Sequence, residues 1–226
     1  MGRFHLILLI TFFVFKIKEV KSQLDSLPPN LVTYYEDNGF IYFNQNALEE
    51  QKLFIDHKDK FFEKIQDEMV LKKTWTDKQL FLKHNRYQQK YAGIDVEGCE
   101  FTEHVSGMYV LAANGKICSE IYKKEPEGWM SEEDAVEYLL NHLPNDDFAW
   151  YHSDWEEQAK LDANDPNASY YPKGNILFAL NSFENIQFDI PEEDFTPAWR
   201  FEVFSVDPYY HKQYFVDANT GEVFRE

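Results

Sequence analysis

The chain has 226 residues, 44% hydrophobic and 17% aromatic, enough apolar surface for a core in one large domain or two small ones. Its 40 acidic and 22 basic residues leave a formal net charge of −18, which repels phosphate backbones and argues against nucleic acid as a partner. The same charge suits a basic protein surface, loosely held calcium, or a dispersed extracellular protein with no charged partner at all.

The N-terminus reads as an address. Met1-Gly2-Arg3 opens positively, and Leu6 to Phe15 is apolar apart from Thr11. About ten apolar residues fall short of the ~20 that a membrane-spanning helix needs, but they suit the core of a signal peptide over residues 1–22. Val20 and Ser22 place small residues where cleavage after Ser22 requires them, whereas Lys16, Lys18 and Lys21 leave an uncleaved export anchor as the alternative. The expected location is secreted or periplasmic, with no stable membrane insertion once the segment is removed.

Residues 23–45, with Pro28-Pro29 and Asn38-Gly39, read as loop with a short strand from Phe40 to Phe43. A helix is expected from Asn46, with Ile55, Phe61, Phe62, Ile65 and Met69 on one side. From Phe81 to Tyr91 the period changes to two: Phe81, Tyr87 and Tyr91 share one parity, while His84, Arg86, Gln88 and Lys90 share the other. Ala92-Gly93 ends that strand, and Gly98 marks a bend or bulge before the next. Cys99 to Val105, Met108 to Ala112 and Ile117 to Ile121 then read as strands, turned at Ser106-Gly107 and at Asn114-Gly115. The result is an α+β unit, a helix on an antiparallel meander, ending near Lys124.

Cys99 and Cys118 are the two cysteines. In an exported chain they would be expected to pair, closing a loop worth roughly 3 kcal/mol. Two successive two-residue turns, however, would set residue 102 against 111 and 111 against 118. The cysteines would then lie two strands apart, roughly 9.5 Å, beyond the ~7 Å that a disulfide bridges. That register favours two buried thiols.

After Glu125-Pro126-Glu127-Gly128, Ser131-Glu132-Glu133-Asp134 has the form of a capping box, and Ala135, Val136, Leu139, Leu140 and Leu143 continue at helical spacing to Pro144. Strands are expected at Phe148–Tyr151, Ile176–Leu180, Ala198–Val206 and Tyr214–Val216. A helix again precedes an antiparallel sheet, so the fold class is α+β in two consecutive units, 23–124 and 125–226. Asp217-Ala218-Asn219-Thr220-Gly221 reads as a turn between strands, Gly221 supplying positive φ.

His84-x-Arg86-Tyr87-Gln88-Gln89-x-Tyr91-x-Gly93-Ile94-x-Val96-x-Gly98 closely resembles the prosegment motif of thermolysin-like and fungalysin-like zinc metallopeptidases. Ala198-Trp199-Arg200-Phe201-Glu202-Val203 and Val216 to Val223 are similar to the two ends of the PepSY-type domain that follows it, and Asn167 to Ile176 looks like a segment of one bacterial branch. The resemblance implies a fungalysin/thermolysin propeptide-like domain over 23–124 and a PepSY-like domain over 125–226, both of cystatin-like architecture. It makes His84, Tyr87, Tyr91, Gly93, Gly98, Trp199, Arg200, Asp217 and Gly221 structural motif positions. Prosegments of this kind fold against, assist and inhibit a catalytic domain, so the implied partner is an exported metallopeptidase.

The enzyme's own signature is missing. Such a peptidase holds zinc with two His four apart on a helix and a Glu after the first. The His residues stand at 5, 57, 84, 104, 142, 152 and 211, no two at that spacing. No catalytic residue, metal set or cofactor is expected. His152-Ser153-Asp154 has the residue types of a hydrolytic triad without its geometry, and the oxygen-rich run Asp162, Asn164, Asp165, Asn167 lacks the spacing of a calcium loop. Arg86, Gln88 and Gln89 carry two readings: hydrogen bonds inside the sheet, or a face for a partner protein. Glu226 falls where a proenzyme would begin its catalytic domain, leaving three functions in view: a prosegment acting in trans, the remnant of a truncated or split proenzyme gene, or an exported module binding some other ligand.

Overall fold

The computed structural model describes residues 32–35, 40–43, 67–107, 109–124, 126–184 and 189–226. They form a mixed α+β protein with antiparallel sheet strands and two α-helices. The chain divides into two compact units, one running to Lys123 and taking back Phe183–Glu192, the other made of Lys124–Ser182 and Glu193–Glu226.

The first unit contains β1 (Val32–Tyr35), β2 (Phe40–Phe43), β3 (Asp67–Asp77), β4 (Leu82–Tyr91), β5 (Ile94–Ser106) and β6 (Tyr109–Gly115). They pair antiparallel in the order β1-β2-β6-β5-β4-β3. The helix expected from Asn46 lies outside the described residues except for Met69, which belongs to β3. Val70, Thr74, Trp75 and Thr76 favour a strand there, since β-branched and aromatic side chains suit a pleated surface.

Asn114-Gly115 makes no hairpin. β6 runs through it, with Thr102 opposite Asn114 and Phe101 opposite Gly115, and Gly115 does not adopt positive φ. This glycine answers to close approach instead, because a Cβ there would lie 2.2 Å from the Glu100 carbonyl oxygen. Lys116 N–H donates to that oxygen at 3.0 Å. Ile117 then forms a parallel bridge with Asp189, and Ile121–Lys123 is a 3-10 turn, not a strand. The β5–β6 register also slips by three from the expected one, because Ser106 pairs with Tyr109 and a bulge falls at His104/Val105. Cys118 thus comes three residues after β6, the direct neighbour of the strand that carries Cys99, rather than two strands away. Both side chains are buried thiols.

The second unit contains α1 (Glu132–His142), β7 (Asp147–Phe148), α2 (Ser153–Ala163), β8 (Asn175–Leu180), β9 (Phe195–Asp207), β10 (Tyr210–Asp217) and β11 (Val223–Arg225). The sheet order is β8-β9-β10-β11, with β7 on the end of β9. Ser131 caps α1, its Oγ accepting the Asp134 N–H at 3.1 Å. Ala135, Val136 and Leu139 carry the helix onto Phe201, Val203, Tyr214 and Val216, and burying Leu139 alone contributes roughly 1.5–3 kcal/mol. Of the expected 148–151 strand only Phe148 pairs, together with Asp147 before it; Ala149–Tyr151 coils into a 3-10 turn. α2 carries no periodic apolar stripe and buries no residue fully. It docks through aromatic edges, Trp155 on Tyr170 and Tyr170 on Phe204.

Candidate functional site

The motif strand β4 is tied to its neighbours by its own glutamines. Ala92 (φ 50°) and Gly93 (φ 80°) form a two-residue turn that pairs Tyr91 with Ile94. Two pairs later the register jumps: Lys90 faces Asp95, but Gln88 faces Glu100. The extra residues of β5 bulge out around Gly98, whose φ is 75°. A bulge frees carbonyls from the ladder, and Gln88 collects them, its Nε2 donating to Val96 O at 2.7 Å and Cys99 O at 3.2 Å. Gln89 is wholly buried and grips Cys118 from both sides: its Nε2 donates to Cys118 O at 2.8 Å, and its Oε1 accepts Cys118 N–H at 2.9 Å. Tyr87 and Tyr91 are buried on the same parity, Tyr87 donating its hydroxyl proton to the buried carboxylate of Glu103 at 3.0 Å.

The structure thus separates Arg86, Gln88 and Gln89. The Gln89 amide and the Gln88 Nε2 are spent on main chain inside the unit, Gln88 Oε1 accepts from Lys72 Nζ at 3.4 Å, and the Arg86 side chain is 46% exposed. Phe81, expected on the apolar face of the strand, stands outside it in the preceding turn with φ 54° and 81% exposure.

Arg86 belongs to a face shared by three strands. Trp75, His84 and His104 lie side by side on β3, β4 and β5, as do Lys73, Arg86 and Thr102. His84 stacks on Trp75 with ring centroids 4.9 Å apart, and the Arg86 guanidinium lies 5.5 Å from the Trp75 ring, Lys73 Nζ 5.9 Å. Glu100 receives Lys72 at 2.9 Å and Arg86 at 3.5 Å. His84 Nδ1 meets His104 Nδ1 at 2.7 Å, and His104 Nε2 meets Asn114 Oδ1 at 2.6 Å. The amide oxygen only accepts, so Nε2 of His104 carries a proton; its Nδ1 then accepts from His84 Nδ1–H. Burial pushes His84 below its ordinary pKa, His104 adds to that, and Asp77 opposes it. The groups on this face interact with one another through charge, ring stacking and hydrogen bonds. Among the described residues no group of three or more His, Cys, Asp or Glu is arranged to hold a metal ion.

Residues 67–116 match the Fungalysin/Thermolysin Propeptide Motif. The match covers β3 to β6 and the whole of the three-strand face. No curated protein matches the chain. Among solved structures, the Bacillus megaterium YpeB C-terminal domain aligns at 11% identity and a TM-score of 0.33, over 82% of this chain and 69% of that one. No helix among the described residues is long and apolar enough to cross a membrane.

Within the propeptide motif, sequence reading missed the partners that β3 and β5 bring to His84. Trp75 and His104 come from segments 9 residues before and 20 after it, and only strand register places them together. In the second unit, Trp199 donates its indole N–H to Met130 O at 3.1 Å, and Arg200 sits in the ladder between Asn175 and Phe215. Asp217 accepts Asn219 and Thr220 N–H groups, and Gly221 (φ 78°) lies directly under the Tyr138 ring. His152 pairs with Asp147 at 2.7 Å rather than with its sequence neighbours. Asp165 accepts Asn167 N–H within its own turn.

Proposed function

We propose that this chain is a non-catalytic, exported, prosegment-like protein that binds the catalytic domain of a thermolysin-like zinc metallopeptidase in trans, inhibiting it, assisting its folding, or both. The observation that carries this reading is the propeptide-motif match over residues 67–116. The geometry supports it in one respect. Gln88 and Gln89 are occupied in holding the strands together, so the unit is a stiff support, and the groups left to meet a partner are Arg86, Lys73 and the exposed surface around Trp75.

The test titrates the full chain into exported thermolysin-type catalytic domains of the same host, following peptidase activity and refolding yield. Inhibition near one-to-one, or an improved yield, is the expected result. No effect on any of them would overturn the reading in favour of a gene remnant or a module for another ligand.

A further inference from the structure

The turn joining β3 to β4 presents apolar side chains where the fold gains nothing from them. Asp77 and Leu82 pair across its base, and Lys78–Phe81 form the loop. The Asp77 carboxylate accepts Gln79 N–H at 2.8 Å and Leu80 N–H at 3.0 Å. These bonds hold Asp77 below its ordinary pKa and give the loop a defined shape. At its end Phe81 occupies φ 54°, the left-handed region that glycine takes freely and a bulky residue takes at a cost. The Phe81 side chain is 81% exposed and that of Leu80 66%. Backbone strain beside an exposed aromatic is the kind of outlier from which a contact with another molecule is reasonably inferred.

The surroundings are equally distinctive. Residues 70–90 carry Lys72, Lys73, Lys78, Lys83, Arg86 and Lys90 against the single acid Asp77, in a chain whose net charge is −18. Lys72 and Arg86 meet Glu100, and Lys90 meets Asp95. Lys73, Lys78 and Lys83 are exposed, with no carboxylate at ion-pair distance among the described residues. Two apolar side chains thus stand at a fixed tip with unneutralised cations on its shoulders.

We infer that this tip is a docking knob: Leu80 and Phe81 enter an apolar pocket of a partner protein whose rim carries carboxylates, and Lys78 and Lys83 meet that rim. The inference rests on the proposed binding to a peptidase catalytic domain and names the contact by which it occurs. Charge complementarity selects the partner. An acidic rim is drawn to a basic tip, and like charge over the rest of the chain keeps that partner's other surfaces away.

Phe81→Gly separates contact from fold, because it removes the knob and also relieves the positive φ. With a catalytic domain that the full-length chain binds, Phe81→Gly is expected to weaken binding by roughly tenfold or more, as loss of an aromatic anchor does, with a thermal midpoint equal to or above that of the parent. Lys78→Glu with Lys83→Glu is expected to weaken binding and flatten its salt dependence. If the parent binds and Phe81→Gly binds equally well, the knob is overturned while the peptidase reading stands. If the parent binds no catalytic domain, that reading falls and the knob with it. Sedimentation of the parent, but not of Phe81→Gly, with phosphatidylcholine–phosphatidylglycerol vesicles would assign the tip to lipid and overturn the inference.

Discussion

His84 and His104 face each other Nδ1 to Nδ1 at 2.7 Å across neighbouring strands. The contact holds one proton: with none, two lone pairs oppose; with two, two N–H groups collide. Trp75 stacks on one ring and Asn114 fixes the tautomer of the other, so the pair has little freedom to turn away. Because His84 binds its proton less well when folded, the unfolded chain takes up that proton first as pH falls below ~6.5. Stability is therefore complete above that value and declines as pH drops toward the lower folded pKa. Urea midpoints of the parent and of His84→Phe, which keeps a ring on Trp75, should be compared at about pH 7.5 and about pH 5.5. The parent should lose more than the variant over this interval; an equal loss would rule the pair out as its source.

Gln89 supports a second prediction. Gln89→Leu keeps the volume near that of the parent but strands the buried N–H and C=O of Cys118. Each abandoned group costs about 1–3 kcal/mol, so the variant should lose roughly 2–6 kcal/mol of unfolding free energy. Arg86→Ala removes a half-exposed ion pair and a ring contact, and should stay within about 1 kcal/mol of the parent. Denaturant unfolding measures both, and a cost for Gln89→Leu no larger than for Arg86→Ala would refute the account of Gln89 as a clamp.

What could be read from sequence was what depends on short-range pattern. The period of two gave β4, Ser131 and the apolar spacing after it gave α1, and Ala92-Gly93 gave the turn into β5. What escaped depends on tertiary context. Asn114-Gly115 has the chemistry of a hairpin turn, yet the backbone of Glu100 lies so close that Gly115 is required for space in a continuous strand. α2 has charged residues all round and is held by Trp155 against a tyrosine from a later loop, which no periodicity reports. Gln88 and Gln89 allowed two readings, hydrogen bonds inside the sheet or a face for a partner, and short-range pattern does not separate them. The bulge at Gly98, legible as a glycine but not as three displaced residues, is what turns Gln88 inward onto carbonyls. The His84–His104 pair needed the register of β4 against β5, fixed only by the length of that bulge.

Two glycines of the first unit separate the reasons for having glycine at all. Gly93 sits at φ 80° with nothing within 4 Å of where a Cβ would be; Gly115 keeps a φ open to any residue, but its Cβ would meet Glu100 O at 2.2 Å and Phe101 Cα at 2.7 Å. Gly93→Ala therefore incurs only conformational strain, about 1–2 kcal/mol. Gly115→Ala has to push two backbones apart in the middle of a sheet where Thr102 and Phe40 both pair with the neighbouring Asn114. It should cost more than about 3 kcal/mol and expose the β5–β6 amides to faster hydrogen exchange. Gly93→Asn, a residue at ease in the left-handed region, should recover most of the loss seen with alanine, whereas Gly115→Asn should be worse than Gly115→Ala. If alanine were tolerated better at 115 than at 93, the close approach of β5 to β6 could not be what holds Gly115 in place.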